Sequence, residues 1–400
     1  MFGRILKRNS LYYCVIRGKT YAVEIDVSDK INNGDLVKIG TRINTSTPIN
    51  RSKLKVLKSV SSKAKFISID DTTPLFIKLK NRILDLRRPI NQFRFIIRSE
   101  MNRILAQSFD KNNYINVNTP LIVGPVIKGR VKTFDFSFFG ESASLAMTKL
   151  VYLRYLICSD FEKVYDLSSV FVAGHHNTSK HVAEYYTLDW ASSEEVTFDD
   201  HLQYVDEILF ELVSRLSKLD ISANNENNLP AKSLMRDIKN ARIITYRELL
   251  SEYLKRNPDD KKMLNQFHLP HRIIDFAHKS YGGYLWVKEF PEGFKQFYCD
   301  TIKRGNKNVV LSSELWWNNQ KVASVSFSNS DYGKTLDRIK ILGLNQRDLK
   351  TYLNSIRLGS AEAYLGSLYI ERLMMAILKI DNMKETLMFP RAAQGTVLDP

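Results

Sequence analysis

Lys53, Lys55 and Lys58 lie close together in a stretch of chain that also carries Tyr12, Tyr13 and Tyr21. Ammonium groups neutralise phosphates and release condensed counterions, and tyrosine rings stack on unpaired bases. These residue types point to a polyanion, although filling the interior is the simpler role for any single tyrosine. The charge distribution agrees. The 400-residue chain carries a formal +16, and its first 80 residues hold sixteen Lys or Arg against six Asp or Glu. Drift toward lysine in an AT-rich genome would spread the excess evenly, whereas a concentrated basic region is the footprint of nucleic acid binding.

Other reactive side chains point to less. His175 and His176 are adjacent, but with no third ligand at a suitable spacing they read as loop residues rather than a metal site. Cys14, Cys158 and Cys299 lie more than a hundred residues apart and form no Cys-x-x-Cys pair. This spacing excludes a disulfide scaffold and a cysteine-rich zinc site, and a reduced, cytoplasmic interior is expected. No apolar run approaches the ~18 residues of a membrane span, and the first acidic side chain is Glu24. Neither membrane residence nor secretion is expected. At 44% hydrophobic and 26% charged residues the chain is globular, with two or three packed units expected at roughly 100–200 residues per domain.

The elements that would position these side chains follow from hydrophobic periodicity. Leu11 to Arg17, Thr20 to Asp26, Leu36 to Ile39 and Leu54 to Val60 read as strands, with a turn at residues 32–35. Together they suggest a small basic barrel of the five-stranded oligonucleotide-binding type. Helical spacing begins at Phe76, with a long amphipathic helix from Gln92 to Ser108. Strands are expected at Tyr114 to Pro120, Thr133 to Phe139, Lys163 to Val172 and His181 to Trp190. A helix over Phe198 to Leu216, a polar loop over Ser222 to Pro230 and a helix from Tyr246 follow. The fold class expected is α+β, with an antiparallel sheet flanked by helices. Residues 1–75 form the barrel and residues 76–400 the larger domain, with a helical and polar insertion at about 198–262.

Four stretches carry a resemblance. They are Arg82-Ile-Leu-Asp-Leu-Arg87 with Phe93 to Ser99, Lys163 to Phe171 with Asn177 to Tyr185, the helix opening at Tyr246, and Ile370-Glu371-Arg372 with Phe389-Pro390-Arg391. In that order they resemble motif 1, motif 2, a linking helix and motif 3 of the class II aminoacyl-tRNA synthetases of the aspartyl and asparaginyl type. The resemblance implies a class II catalytic domain, a homodimer built on motif 1, and an anticodon-binding role for the N-terminal barrel, with tRNA as partner. It also implies ATP and magnesium as cofactors where the site is active. Arg372 matches the γ-phosphate arginine of motif 3. His181, Glu184 and Lys180 match motif 2 positions, with lysine in place of arginine, and Tyr185 matches the adenine-stacking phenylalanine. For Arg372, a salt bridge inside the helix packing stays open beside the phosphate role.

The chain departs from the family where charge is needed. The motif 2 Phe-Arg-Ala-Glu reads Phe171-Val172-Ala173-Gly174, and valine offers no bidentate contact to a carboxylate or phosphate. The family's Ser-Pro-Gln reads Thr148-Lys149-Leu150, which loses the glutamine of the amino-acid pocket. The magnesium Asp and Glu and the carboxylate-binding Arg become Glu314, Lys321 and Ser328, which leaves Glu314 as a lone metal candidate and puts a lysine where it repels magnesium. Tyr369, in the approach to motif 3, stands where the family has a glycine.

The expectation is a divergent synthetase-like paralogue, a pseudoenzyme for ordinary amino-acid adenylation, that binds tRNA through the basic barrel. Two alternatives stay open. One is an AMP-forming ligase that activates another carboxylate, as an aminoacyl-tRNA ligase or an asparagine-synthetase-like amide ligase. The other is a non-catalytic regulatory or accessory subunit. Whether Lys149, Lys321 and the histidine pair form a new anion pocket is a further question.

Overall fold

The computed structural model describes residues 2–8, 11–16, 19–24, 36–39, 49–50, 54–58, 69–124, 132–175, 178–219, 229–260 and 269–393. The chain divides into two compact units, the first holding residues up to Glu100 and the second the bulk of those from Met101 on.

In the first unit, β1 (Phe2–Arg8), β2 (Leu11–Ile16), β3 (Lys19–Glu24), β4 (Leu36–Ile39), β5 (Ile49–Asn50) and β6 (Leu54–Lys58) form a sheet in the order β5-β3-β2-β1-β4-β6. Val37 and Ile39, two residues apart on β4, are both buried, as are Ile5, Val23 and Ile49. Period-two burial gives the sheet one inner face. β1 has no counterpart among the expected strands. The expected turn at residues 32–35 and Lys53 lie outside the described residues, as do the side chains of Tyr12, Tyr21 and Lys58; Lys55 is exposed. Helices α1 (Leu75–Lys80), α2 (Arg82–Leu86) and α3 (Pro89–Lys111) follow.

The second unit is built on a nine-stranded sheet. Its strands are β7 (Ile115–Asn116), β11 (Lys163–Phe171), β12 (Glu184–Ser192), β13 (Arg242–Thr245), β14 (Tyr284–Pro291), β15 (Thr301–Arg304), β16 (Lys307–Trp317), β17 (Gln320–Ser328) and β18 (Ala363–Tyr369). The order is β13-β14-β16-β17-β18-β12-β11-β7, with β15 paired on β16. The pairings are antiparallel except at the two ends, where β13 runs parallel to β14 and β7 to β11. A separate three-stranded sheet holds β8 (Ile122–Val123), β9 (Asp135–Phe138) and β10 (Glu141–Leu145), and it leaves Ile122, Phe136 and Phe138 exposed. Helices α4 (Leu150–Ile157), α5 (Phe198–Leu216), α6 (Ala231–Lys239), α7 (Tyr246–Arg256), α8 (His271–Tyr281), α9 (Tyr332–Ile341), α10 (Lys350–Arg357) and α11 (Ile370–Leu378) complete the unit. The fold is the expected α+β class.

Local chemistry accounts for the element limits. Helix α5 starts where Thr197 and Asp200 form a reciprocal capping box, and Thr245 with Glu248 does the same for α7. Both motifs satisfy backbone N–H groups that would otherwise lack partners. The strand expected over Tyr114 to Pro120 is reduced to two residues of β7. Val117 N still donates to Tyr165 O at 2.9 Å, but Thr119 N donates to the Asp166 carboxylate at 2.8 Å, so a side chain takes over from the ladder. The hairpin β11–β12 begins at Glu184 rather than at His181 because Ala183 N turns away to donate to Arg391 O at 2.6 Å.

A half-buried carboxyl on α5 supplies a test of this packing. Asp206 Oδ1 accepts from Tyr284 Oη at 2.5 Å and from Trp286 Nε1 at 2.9 Å. Burial pushes its pKa from 3.8 up to about 6, against the two hydrogen bonds. A carboxyl raised in the folded state favours folding below pH 3.8, and that contribution is lost as pH rises through about 6, which costs at most roughly 3 kcal/mol at neutral pH. Asparagine keeps the Oδ1 acceptor without the charge. Asp206→Asn cannot titrate, so its urea midpoint is expected to stand higher relative to wild type at pH 7 than at pH 4; a difference between the two proteins that is the same at both pH values would contradict this.

Candidate functional site

One face of the central sheet is polar although it is buried. Residues paired across antiparallel strands share a face, and the register links Glu314 to Ser324, Ser324 to Ser367, Ser367 to Asp189 and Asp189 to Asp166. One step along, Tyr369 pairs with Thr187 and Thr187 with Ser168, and Tyr185 pairs with Val170. Asp189 and Thr187 are 2% and 3% exposed, yet Asp189 Oδ1 and Thr187 Oγ1 have no hydrogen-bond partner. Burial raises the Asp189 pKa, opposed by the nearby Lys149 charge.

Lys149, the residue before α4, is wholly buried on this face. Its ammonium donates to Thr187 O at 2.8 Å, Asp166 O at 3.0 Å and Ser168 O at 3.3 Å, and lies 3.6 Å from the Asp166 carboxylate. It staples β11 to β12 and has no donor left for a ligand. Leu150 joins the core formed by α4, α9, α10 and residues 297–299. An anion pocket that includes Lys149 is thereby excluded.

At the other end of the face, Glu314 Oε1 accepts from Lys295 Nζ at 2.6 Å and from Lys321 Nζ at 3.2 Å. Burial would raise the Glu314 pKa, but the two ammonium groups override it and hold the carboxyl down at about 2. Burial lowers Lys295; it would lower Lys321 too, but the Glu314 carboxylate raises that residue instead. Lys295 Nζ also sits 3.8 Å from the Phe290 ring centroid. The segment that carries Lys295 is clamped by Arg338 of α9, which donates to Glu292 O, Lys295 O and Gln296 O at 2.8, 3.2 and 3.2 Å.

Tyr369 lies between these groups and α11. Its hydroxyl is 3.1 Å from Ser324 Oγ, Lys321 Nζ is 5.5 Å from its ring centroid, and Arg372 Cζ is 5.9 Å away on the same ring. Among the described residues no carboxylate forms an ion pair with Arg372, so the salt-bridge role left open for it finds no partner. Lys180 donates to Asn319 O at 3.3 Å, and its pKa is lowered by burial and by the charge of Arg372. Burial raises the pKa of Tyr185. The hydroxyl of Ser169 donates to Glu184 Oε1 at 3.4 Å, and His181 is exposed with Nδ1 2.6 Å from Thr178 Oγ1. Val172 continues the hairpin through its N–H to Ala183 O at 2.8 Å. His175 is exposed and His176 lies outside the described residues.

With this geometry in hand, comparison with known proteins is decisive for the family. The model of the class II tRNA synthetases for D, K and N matches residues 75–393. The chain belongs to this family. An aspartate--tRNA(Asp/Asn) ligase of Methanococcus maripaludis is 27% identical over 319 residues, 79% of this chain and 70% of the relative. An aspartate--tRNA(Asp) ligase of Picrophilus torridus is 25% identical over 407 residues, 97% of this chain and 93% of the relative. Asparaginyl-tRNA synthetase from Pyrococcus horikoshii complexed with asparaginyl-adenylate superposes with a TM-score of 0.78 at 20% identity, covering 98% of this chain and 93% of the other. The Entamoeba histolytica asparaginyl-tRNA synthetase complexed with asparaginyl-adenylate gives 0.80 at 18% identity, covering 98% and 94%. The fold is therefore that of the class II synthetases.

Within this synthetase fold, Arg372, Lys180 and Tyr185 are brought toward one another, whereas Glu184 alternates onto the opposite face of β12 from Tyr185. Magnesium does not fit at Glu314: the carboxylate is shared by two ammonium groups, and among the described residues no cluster of three His, Cys, Asp or Glu side chains is placed to hold a metal. Sequence reasoning missed Lys295 as a member of the site and the structural role of Lys149. A signal was present for the face itself: Ser324, Ser326 and Ser328 recur with period two, as on a strand with one polar side.

Proposed function

We propose that this chain is a divergent aspartyl/asparaginyl-tRNA synthetase-like protein that does not carry out ordinary amino-acid adenylation and binds tRNA through its N-terminal strands. The observation that carries the reading is the Lys321 ammonium bonded to Glu314, together with Val172 in place of a charged donor. Adenylation builds negative charge at the α-phosphate, and the loss of one preorganised charged donor costs about 3 kcal/mol of transition-state stabilisation. The tRNA part rests on the basic excess of the first 80 residues and on the names of the relatives. A homodimer and a cytoplasmic location complete the reading, the first by family resemblance and the second from the cysteine spacing.

Pyrophosphate exchange with each amino acid in turn is expected to stay at background. A clear signal with any one would overturn the reading in favour of the AMP-forming ligase, the alternative that Arg372, with no carboxylate partner among the described residues, favours. Binding of tRNA should weaken with salt, and reversing Lys53, Lys55 and Lys58 to glutamate should lower the slope of log affinity against log salt by about three. A salt response that is flat would remove the RNA assignment and leave the accessory-subunit alternative.

A further inference from the structure

We propose that this site binds a phosphate-bearing ligand without a divalent cation, the Lys321 ammonium standing where the family places its metal and acting with Arg372 and Lys180 on the phosphates. The inference deepens the synthetase-like reading of the same site.

Three observations carry it. First, the cation is built in. Lys321 and Lys295 share the single carboxylate of Glu314 at 3.2 and 2.6 Å, so a divalent ion could reach Glu314 only by displacing both. Like charges at such range repel, and among the described residues no cluster of carboxylates offsets this. Second, positive charge next to this group exceeds the carboxylates that face it: Glu314 is shared by two ammonium groups, and Asp275 only partly offsets the charge beside Lys180. Arg372 shares the Tyr369 ring with Lys321, and its charge disfavours the ammonium forms of both Lys321 and Lys180. A guanidinium beside two ammonium groups is the arrangement that an anion relieves. Third, the neighbouring floor has unused polar capacity. Asp189 Oδ1 and Thr187 Oγ1 are buried and unpartnered on the same sheet face, whereas buried polar atoms normally have partners. Tyr185 and Tyr369 flank this floor on the same face.

Phosphate chemistry can come from a nucleotide or from a free polyphosphate. The experiment therefore titrates the full-length chain calorimetrically with ADP and with pyrophosphate, each once in EDTA and once in excess magnesium. The affinity of the ligand that binds is expected to change less than about twofold between EDTA and magnesium. ADP binding about tenfold or more tighter than pyrophosphate would identify a nucleotide, and comparable binding a free polyphosphate; either upholds the metal-free site. Lys321→Gln should weaken binding about tenfold. Lys321→Glu, with its fold checked by urea midpoint, should make residual binding depend on magnesium. Binding that is tenfold weaker in EDTA than in magnesium would overturn the inference, as would the absence of heat with both probes. These outcomes are separate from pyrophosphate exchange, which tests adenylation, and from the tRNA salt series.

Discussion

Gly366→Ala is expected to destabilise the chain by about 3 kcal/mol or more, at the upper end of what overpacking a buried site costs. A Cβ at this position would lie 2.0 Å from Trp190 Cζ2, 2.3 Å from Cε2 and 2.5 Å from Cη2. No real carbon contact is that short, so either the ring or the strand must move. The ring is confined. Trp190 is fully buried, its Nε1 donates to His201 Nε2 at 3.1 Å, and Phe109 packs against it with centroids 5.5 Å apart. The strand is confined as well, because β18 is paired on both sides, with Gly366 opposite Trp190 on one strand and Val325 on the other. Indole thus lies over a glycine that has no side chain of its own to cover the sheet. Urea denaturation measures the effect. In a Trp190→Leu background the same substitution should cost under about 1 kcal/mol, since coupling between touching residues disappears with the contact. A loss of less than about 1 kcal/mol in the native background would show that the sheet can yield.

The second large effect concerns acid. His201 on α5 is buried, stacked on Tyr364 at a centroid distance of 4.3 Å, and accepts the Trp190 hydrogen bond at Nε2. Burial, with the charge of Lys163, depresses its pKa from 6.5 to about 3. Glu194 Oε2 is 3.9 Å from Nδ1 and does not reverse the shift. A base depressed in the folded state contributes stability that is fully present above pH 6.5 and is lost as pH falls toward about 3, a span worth at most roughly 5 kcal/mol. Protonation at Nε2 would also remove the acceptor that Trp190 uses. His201→Gln retains an acceptor and cannot titrate. Between pH 7 and pH 4 it should lose at least about 2 kcal/mol less stability than the wild type, and parallel pH profiles for the two proteins would refute the assignment. Asp206, five residues on, moves the opposite way over the same range, so the two single variants are needed to separate the contributions.

Where the determinants are local, the sequence announces them. Helix α5 runs from Phe198 to Leu216 as the periodicity predicts, because Thr197 and Asp200 close its first turn and apolar side chains recur along one side. Strand β4 runs from Leu36 to Ile39 as expected, β11 starts at Lys163 as expected and ends one residue early, and β12 is displaced by three residues at its start and two at its end. The candidate site was legible where it consists of replaced or retained residues in a known motif: the replacements Val172 and Lys321 and the retained Arg372 could be named from the chain alone. What could not be named depends on partners far away in sequence. Lys149 is held by carbonyls of β11 and β12, up to 38 residues distant, and Lys295 meets Glu314 from a segment whose carbonyls are held by Arg338, more than forty residues on. The Trp190 and Gly366 contact joins positions on two strands that no local pattern relates.

The staple made by Lys149 ties two central strands together through one buried ammonium group. Its charge belongs to the framework rather than to the cavity, so an uncharged side chain there would strip Thr187 O, Asp166 O and Ser168 O of a shared donor, whereas the position that matches the family's glutamine is its neighbour Leu150. A substitution at Lys149 therefore reads out first as lost folding stability, before anything it does to a bound molecule.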